Sequence, residues 1–263
     1  MTAPRDPAGD APYRLVTIPF SHYCEKARWA LDRLGIPYRE DGYLPLVHYV
    51  GTVPLRRRTV PVLVSRAGVF GDSTDILRYL DGMAPPGARL FPEDPEARRD
   101  VEELEDAFDV GLGPHVRRWA YSLILPDQAL GARFFGKGRG LAVRVAIRAG
   151  LPAIAAMLRA GLRITPAGVA RSEARVEEAF SLVERRLADG RRFLAGDRFT
   201  AADLAFAALA TPALMPPEIG HLYPPLDDLA PALSRAIRAY RARPAGAFAL
   251  RLYREERRRL AVG

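Results

Sequence analysis

The stretch Pro19-Phe-Ser-His-Tyr-Cys-Glu-Lys-Ala-Arg-Trp-Ala-Leu31 decides the fold. Before it, Tyr13-Arg-Leu-Val-Thr-Ile18 alternates in polarity and is rich in β-branched residues, which predicts a strand stopped by Pro19. After Pro19, the residues from Ser21 to Leu34 place Ala27, Ala30, Leu31 and Leu34 on one helical face, and Gly35 follows as the stop. Ser21 thus stands just before a helix and Cys24 three residues on, where unpaired helix amides point outward and the macrodipole is positive. A thiolate at that place is stabilised, which is why redox-active Cys-x-x-Cys pairs occupy it. Serine in the first position removes dithiol chemistry, but its hydroxyl could donate a hydrogen bond to the thiolate of a bound small thiol. The same residues also fit a plain N-cap followed by a small buried cysteine.

Outward from this stretch, Ile36-Pro-Tyr-Arg-Glu40 predicts a second short strand. Val60-Pro-Val-Leu-Val64 and Val69-Phe70 predict a hairpin around Arg66-Ala-Gly68, and Asp72 or Ser73 caps a helix to about Met83. The run from Ala84 to Pro95 has the composition of a linker. Beyond it the pattern is helical. Val101, Leu104, Phe108 and Leu112 recur at helical spacing, Gly113-Pro114 kinks the path, and Val176, Phe180, Val183 and Leu187 form a further stripe. Thr200-Ala-Ala-Asp203 reads as a capping box, with Thr200 accepting from the Asp203 amide, Asp203 reaching back and Phe199 stapling onto Leu204. The helix it opens, Ala201 to about Ala210, is apolar nearly all round and should be the buried centre of the second domain. The expected plan is a polar tail over 1–12, an α/β domain over 13–84, a linker over 85–95 and an all-helical domain over 96–263.

The charge is unevenly placed. There are 39 basic and 31 acidic residues, a net +8, and the whole excess lies between Gln128 and Ser172. That window holds Arg133, Lys137, Arg139, Arg144, Arg148, Arg159, Arg163 and Arg171 and no acid. A uniformly basic protein that coats nucleic acid is excluded, and no nucleic-acid partner is expected. Arg144/Arg148 and Arg159/Arg163 are each four apart and so share a helix face, opposite Val143, Ile147, Ile154 and Leu158. This segment is either a solvated face or an amphipathic surface for an anionic membrane or an acidic partner. Gly136-Lys-Gly-Arg-Gly140 is misspaced for a phosphate loop and reads as a basic turn. A lone cysteine excludes an intramolecular disulfide, and four scattered histidines make no metal-ligand spacing, so no metal is expected. The polar, proline-rich start carries no signal-peptide pattern, which makes a cytoplasmic protein the expectation. The chain has only two lysines, Lys26 and Lys137, an arginine preference that a GC-rich bacterial genome produces.

Two further motifs bear on the Ser21 site. Thr59-Val-Pro-Val-Leu63 starts a strand with a proline; a cis Val60–Pro61 bond would present the Val60 backbone to a bound peptide. Gly71-Asp-Ser-Thr-Asp-Ile76 places an acid and a hydroxyl at a helix start, a seat for an α-amino-acid group with its carboxylate on helix amides and its ammonium near Asp72. In this order and spacing, the Ser-x-x-Cys helix start, Val-Pro-Val-Leu, the Asp-Ser pair and Phe199-Thr-Ala-Ala-Asp-Leu-Ala205 resemble the glutathione transferase superfamily. The resemblance implies a thioredoxin-like N-terminal domain, an all-α C-terminal domain and glutathione, or a related small thiol, as co-substrate.

It also implies roles. Ser21 falls on the catalytic position and Cys24 on the second position of the former Cys-x-x-Cys. Val60 and Pro61 would meet the cysteinyl backbone, Asp72 and Ser73 the γ-glutamyl end, and His48, Arg57 or Arg58 the glycyl carboxylate. The run Pro54-Leu-Arg-Arg-Arg-Thr59 replaces the Asn-Pro-x-Gly-Lys usual in the family. An electrophilic, mostly apolar substrate would lie between the domains near Tyr23, His115, Trp119 and Tyr121, residues that core packing explains equally well. The family relation further implies a homodimer. Conjugation, isomerisation, dehalogenation and peroxide reduction all remain open, as does a non-catalytic binding protein that uses the 128–172 segment.

Overall fold

The computed structural model describes residues 13–257; the expected tail over 1–12 and residues 258–263 lie outside the described residues. Strand β1 (Tyr13–Thr17) leads into helix α1 (His22–Arg33), then β2 (Tyr38–Gly42), a short turn of helix α2 (Tyr49–Thr52), the hairpin β3 (Val62–Ser65) and β4 (Gly68–Phe70), and α3 (Ser73–Met83). The four strands form one sheet in the order β2-β1-β3-β4. The β1–β2 pair is parallel, and β1–β3 and β3–β4 are antiparallel, with Leu15 opposite Leu63 and Val16 opposite Val62. All four of these residues are fully buried, which pins the register, since a one-residue slip would turn them to the other face. The second strand starts two residues later than expected. Ile36 is buried and its amide is spent on the Leu31 carbonyl, and Pro37 has no amide to give to a ladder. Gly35 takes φ +61 at the end of α1, as its place as helix stop requires.

The remaining elements are helical: α4 (Pro95–Gly111), α5 (Gly113–Ile124), α6 (Gln128–Gly136), α7 (Leu141–Gly161), α8 (Pro166–Leu187), α9 (Ala201–Leu209), α10 (Thr211–Leu214), α11 (Pro231–Ala242) and α12 (Pro244–Glu255). Gly113-Pro114 marks the break between α4 and α5, as its composition predicts. Gly136–Gly140 is a turn between α6 and α7, with Gly138 at φ +71. Arg163 does not share a face with Arg159: α7 ends at Gly161 and Arg163 lies beyond it at φ 51. Opposite the arginines, Ile147 is buried but Val143 is exposed.

The chain packs as two compact units that differ from the division read from motifs. One takes the chain up to Glu105, Arg192–Ala208 and the segment from Leu252; the other takes Asp106–Arg191 and Leu209–Arg251. The buried helix α9 therefore belongs largely with the sheet. Its ties are specific: the Ala201 amide donates to the Leu90 carbonyl, and the Leu90 and Phe91 amides donate to the Asp81 carboxylate at the end of α3. The proline-rich linker is thus held down within the first unit, with Leu90 and Phe91 buried.

Candidate functional site

Ser21 caps α1 with an extended backbone, φ −76 and ψ 124, and its Oγ accepts from the Cys24 amide at 3.4 Å. This is the N-cap geometry expected of a serine before a helix. The loop that carries Ser21 is clamped from beneath. Arg28, about two turns along α1, donates to the carbonyls of Pro19 at 2.7 Å and Ile18 at 3.4 Å and pairs with Glu25 and Glu40. Two carboxylates hold its guanidinium charged despite burial. Arg28 is absent from the residues that motifs single out. Its only signal in the sequence is an i,i+3 Glu-Arg pair on α1, which reads as ordinary surface.

Cys24 is fully buried. Burial pushes its thiol pKa up, and the opposing pull of the Arg28 charge and of Ser21 does not cancel this. Cys24 is thus a buried thiol whose surroundings favour its protonated form.

The Val60–Pro61 bond is cis, directly before β3. Asp72 is the N-cap of α3, and its Oδ1 accepts from the amides of Thr74 at 2.8 Å and Asp75 at 3.4 Å. The expected seat for an amino-acid carboxylate on this helix start changes accordingly, because two first-turn amides are already taken by Asp72 itself. Asp72 is exposed, Ser73 is buried, and the Arg57 side chain packs on Gly71, filling the space that a Cβ there would need. Arg57 also donates to the Val69 carbonyl at 3.0 Å, so among the three basic candidates it is the one fixed beside the Asp72–Ser73 turn. His48 approaches the Arg58 carbonyl at 3.3 Å, which brings those two candidates together through backbone, and burial lowers the imidazole pKa.

Under the start of α3 lies a polar group with no signal in the sequence pattern. Lys26 is fully buried and bonds both Glu105 and, at 3.0 Å, Thr74 Oγ1; Thr74 in turn donates to Glu105 at 2.7 Å. The second carboxylate oxygen of Glu105 is buried without a hydrogen-bond partner. This group ties α1, α3 and α4 together, so the Ser21 and Asp72 helix starts are fixed from one buried ionic cluster.

The expected second-substrate residues are distributed between the two units. Tyr23, half-buried on α1, stands with its ring 4.6 Å from that of His22 in the first unit. The other three belong to the second. Trp119 is buried and edge-on to Tyr240 at 5.6 Å, so it packs the core of that unit. His115 meets Ser172 Oγ at 3.1 Å, to which Arg118 also donates at 2.8 Å; burial and the Arg118 charge hold the imidazole below its usual pKa. Tyr121 stacks on Phe135 at 6.3 Å, and burial pushes its phenol up to about 12. Among the described residues no three of His, Cys, Asp and Glu converge as a metal would require.

Two domain patterns match the chain: the glutathione S-transferase N-terminal domain over residues 15–88 and the glutathione S-transferase C-terminal domain over residues 166–243, together more than half of it. Residues 89–165 fall between them. The fold is similar to that of a glutathione S-transferase from Rhodospirillum rubrum F11, 21% identical over 90% of this chain and 91% of that one, with a TM-score of 0.52. It is equally similar to a glutathione transferase from Populus trichocarpa, 17% identical over 92% and 99% of the two chains, also at 0.52. No curated protein matches the chain in sequence with significance.

Proposed function

The chain belongs to the glutathione S-transferase superfamily, and from that premise we propose that it ionises the thiol of glutathione, or of a related small thiol, at the start of α1. The thiolate then attacks an electrophilic, mostly apolar substrate. The observation that carries this reading is the orientation of Ser21. Its oxygen accepts from the helix amide of Cys24. Acceptance there leaves the hydroxyl proton to be donated elsewhere, and a sulfur held at the helix start is what it would meet. The donated bond and the positive helix end stabilise S⁻ over S–H, so the thiol proton passes to water at neutral pH. The freed lone pair forms a sulfur–carbon bond, and the leaving group departs with the electrons of the bond it breaks.

Binding falls to other residues. Val60 backbone atoms beside the cis proline would pair with the cysteinyl unit, Asp72 with the γ-glutamyl ammonium, and Arg57 supplies the fixed cation nearest that turn.

Ser21→Ala removes one preorganised donor, and turnover with a chromogenic electrophile should fall about 10²-fold or more. Binding, read by calorimetry, should stay within a few-fold, and the ultraviolet signal of bound thiolate should titrate at higher pH. Turnover unchanged in Ser21→Ala would remove Ser21 from the chemistry. Cys24→Ala is the paired control and should keep its turnover; its loss would instead point to a mixed disulfide on Cys24.

A further inference from the structure

The helix α7 has a free side. Only Ile147, Leu151 and Ala155 are buried, where α7 packs on α6. The opposite face, which includes Val145, Ala149, Pro152, Ala153, Ala156 and Met157, is exposed and carries no charge. Leu141 is 75% exposed, Val145 60% and Met157 53%. At 100° per residue, Arg148 and Arg159 fall along one edge of this stripe, and Arg144 lies behind them towards α6, against Gly136. Beside that edge, α6, the Gly136–Gly140 turn and the first turns of α7 enclose a cleft of about 620 Å³. Arg133, Lys137, Arg139, Arg144 and Arg148 line it together with Leu141 and Val145, and Asp228 is its one carboxylate. Arg133 is anchored there through the Asp228 carbonyl at 2.7 Å.

We propose that α7 and this cleft form a docking surface for an anionic lipid bilayer. An interfacial helix needs an apolar face to enter the headgroup–acyl boundary and cations at headgroup level, and α7 presents the two side by side. Charge selects the occupant. From Gln128 to Ser172 there are eight cations and no acid, so a partner must bring the negative charge in quantity. A second copy of this chain would bring its own arginine edge with no acid on the segment to answer it. The helix is long and apolar enough to cross a membrane, but Ile147, Leu151 and Ala155 bind it to its own unit, so it lies on the bilayer. Helix α7 also falls within residues 89–165, which neither transferase pattern matches.

The test is co-sedimentation of the full chain with vesicles of phosphatidylcholine alone and with about one-quarter phosphatidylglycerol. The protein should pellet with the anionic vesicles only, and more weakly at high salt. The double variant Arg144→Glu/Arg148→Glu should lower the partition coefficient at least about tenfold, given a favourable contribution from each basic residue near the surface. Val145→Gln/Met157→Gln should lower it at both salt levels, and both variants should retain thiol turnover and the wild-type melting temperature. Equal pelleting with neutral vesicles, or none with anionic ones, would overturn the proposal, as would pelleting indifferent to the arginines. So would displacement from vesicles by millimolar inorganic phosphate, which would mark a site for soluble anions. A concentration-dependent dimer broken by Ala153→Glu, without vesicle binding, would assign the face to a second copy.

Discussion

At the residue scale, the site depends on what each polar atom already does inside the protein. The Ser21 oxygen and one Asp72 oxygen both serve as helix caps, so each side chain has one capability spent and one to offer. For Asp72 the two roles are separable by substitution. Asparagine caps a helix about as well as aspartate but carries no charge, whereas alanine loses both properties. Asp72→Asn should therefore melt within about a degree or two of the wild type while its KM for glutathione rises several-fold. Asp72→Ala should show the same KM and lose about 1 kcal/mol of stability as well. If Asp72→Asn binds glutathione as tightly as the wild type, Asp72 is a cap and nothing more. Ser21, Val60, Pro61 and Asp72 could be picked from the sequence because each is marked by local chemistry: a cap, a proline before a strand, an acid at a helix start. Arg28 could not, and Arg57 could be named only as one of three basic candidates, since what distinguishes them comes from carbonyls and a glycine that only the folded chain brings near them.

At the element scale, α9 shows both sides of this. Its start at Thr200-Ala-Ala-Asp203 and its buried, apolar circumference follow from the residues alone, but the bonding differs in detail. The Asp203 carboxylate does reach back to the Thr200 amide at 2.8 Å, while the Thr200 hydroxyl donates to the same oxygen at 2.9 Å. The other oxygen accepts from the Leu194 amide at 2.8 Å, which anchors the approach to the helix. Phe199 lies 5.7 Å from Trp29, stacked on α1, a neighbour that no local pattern encodes. The Lys26–Glu105–Thr74 cluster was hidden for the same reason: its members are 31 to 79 positions apart, and a polar residue inside an amphipathic helix looks solvated until its neighbours are known. For α7 the residues alone do suggest an amphipathic surface, but with an apolar face of Val143, Ile147, Ile154 and Leu158, of which Ile147 is buried, whereas Val145 and Met157, outside that set, are exposed apolar residues. Asp203 gives a sharp test. Asparagine can keep the bond from Leu194 only by turning an NH₂ towards the Thr200 amide, so Asp203→Asn should cost about 1–3 kcal/mol. Burial raises the Asp203 pKa to about 6, above its value of 3.8 in an unfolded chain. The native state then holds a proton that the unfolded state has released, so this contribution is complete below pH 3.8 and is lost as pH rises through 6. The stability difference between wild type and Asp203→Asn should accordingly shrink from pH 4 to pH 7, by about 2–3 kcal/mol. A difference that is flat across that range in denaturant titrations would show that Asp203 is ionised throughout.

At the scale of the whole molecule, the unit that holds Ser21 and Asp72 is assembled from three separate parts of the chain. Trp29 is the largest fully buried side chain, and its indole is covered by Phe199 at 5.7 Å and Tyr253 at 4.7 Å. The same return of the chain closes the charges of α1. Arg257 pairs with Glu25 at 2.9 Å and Asp32 at 2.6 Å, and Arg33 pairs with Glu256 at 3.2 Å. The Lys26 ammonium depends likewise on Glu105 from α4. A fragment of residues 1–95 would retain the whole sheet, α1 and α3, yet leave the Trp29 face open to water and Lys26 in an apolar layer without its carboxylate. Removing each aromatic cover withdraws roughly 2–3 kcal/mol of burial, and an unpaired buried ammonium costs several more. Against a total stability of about 5–15 kcal/mol, those penalties exceed what a small sheet can spare. The fragment should therefore lack a cooperative melt by circular dichroism. Trp29 is its only tryptophan, so its fluorescence reports on that face directly and should be red-shifted relative to the full chain carrying Trp119→Phe. A cooperative transition with blue-shifted emission from the fragment would show that the thioredoxin-like part stands alone and that the later segments merely rest on it.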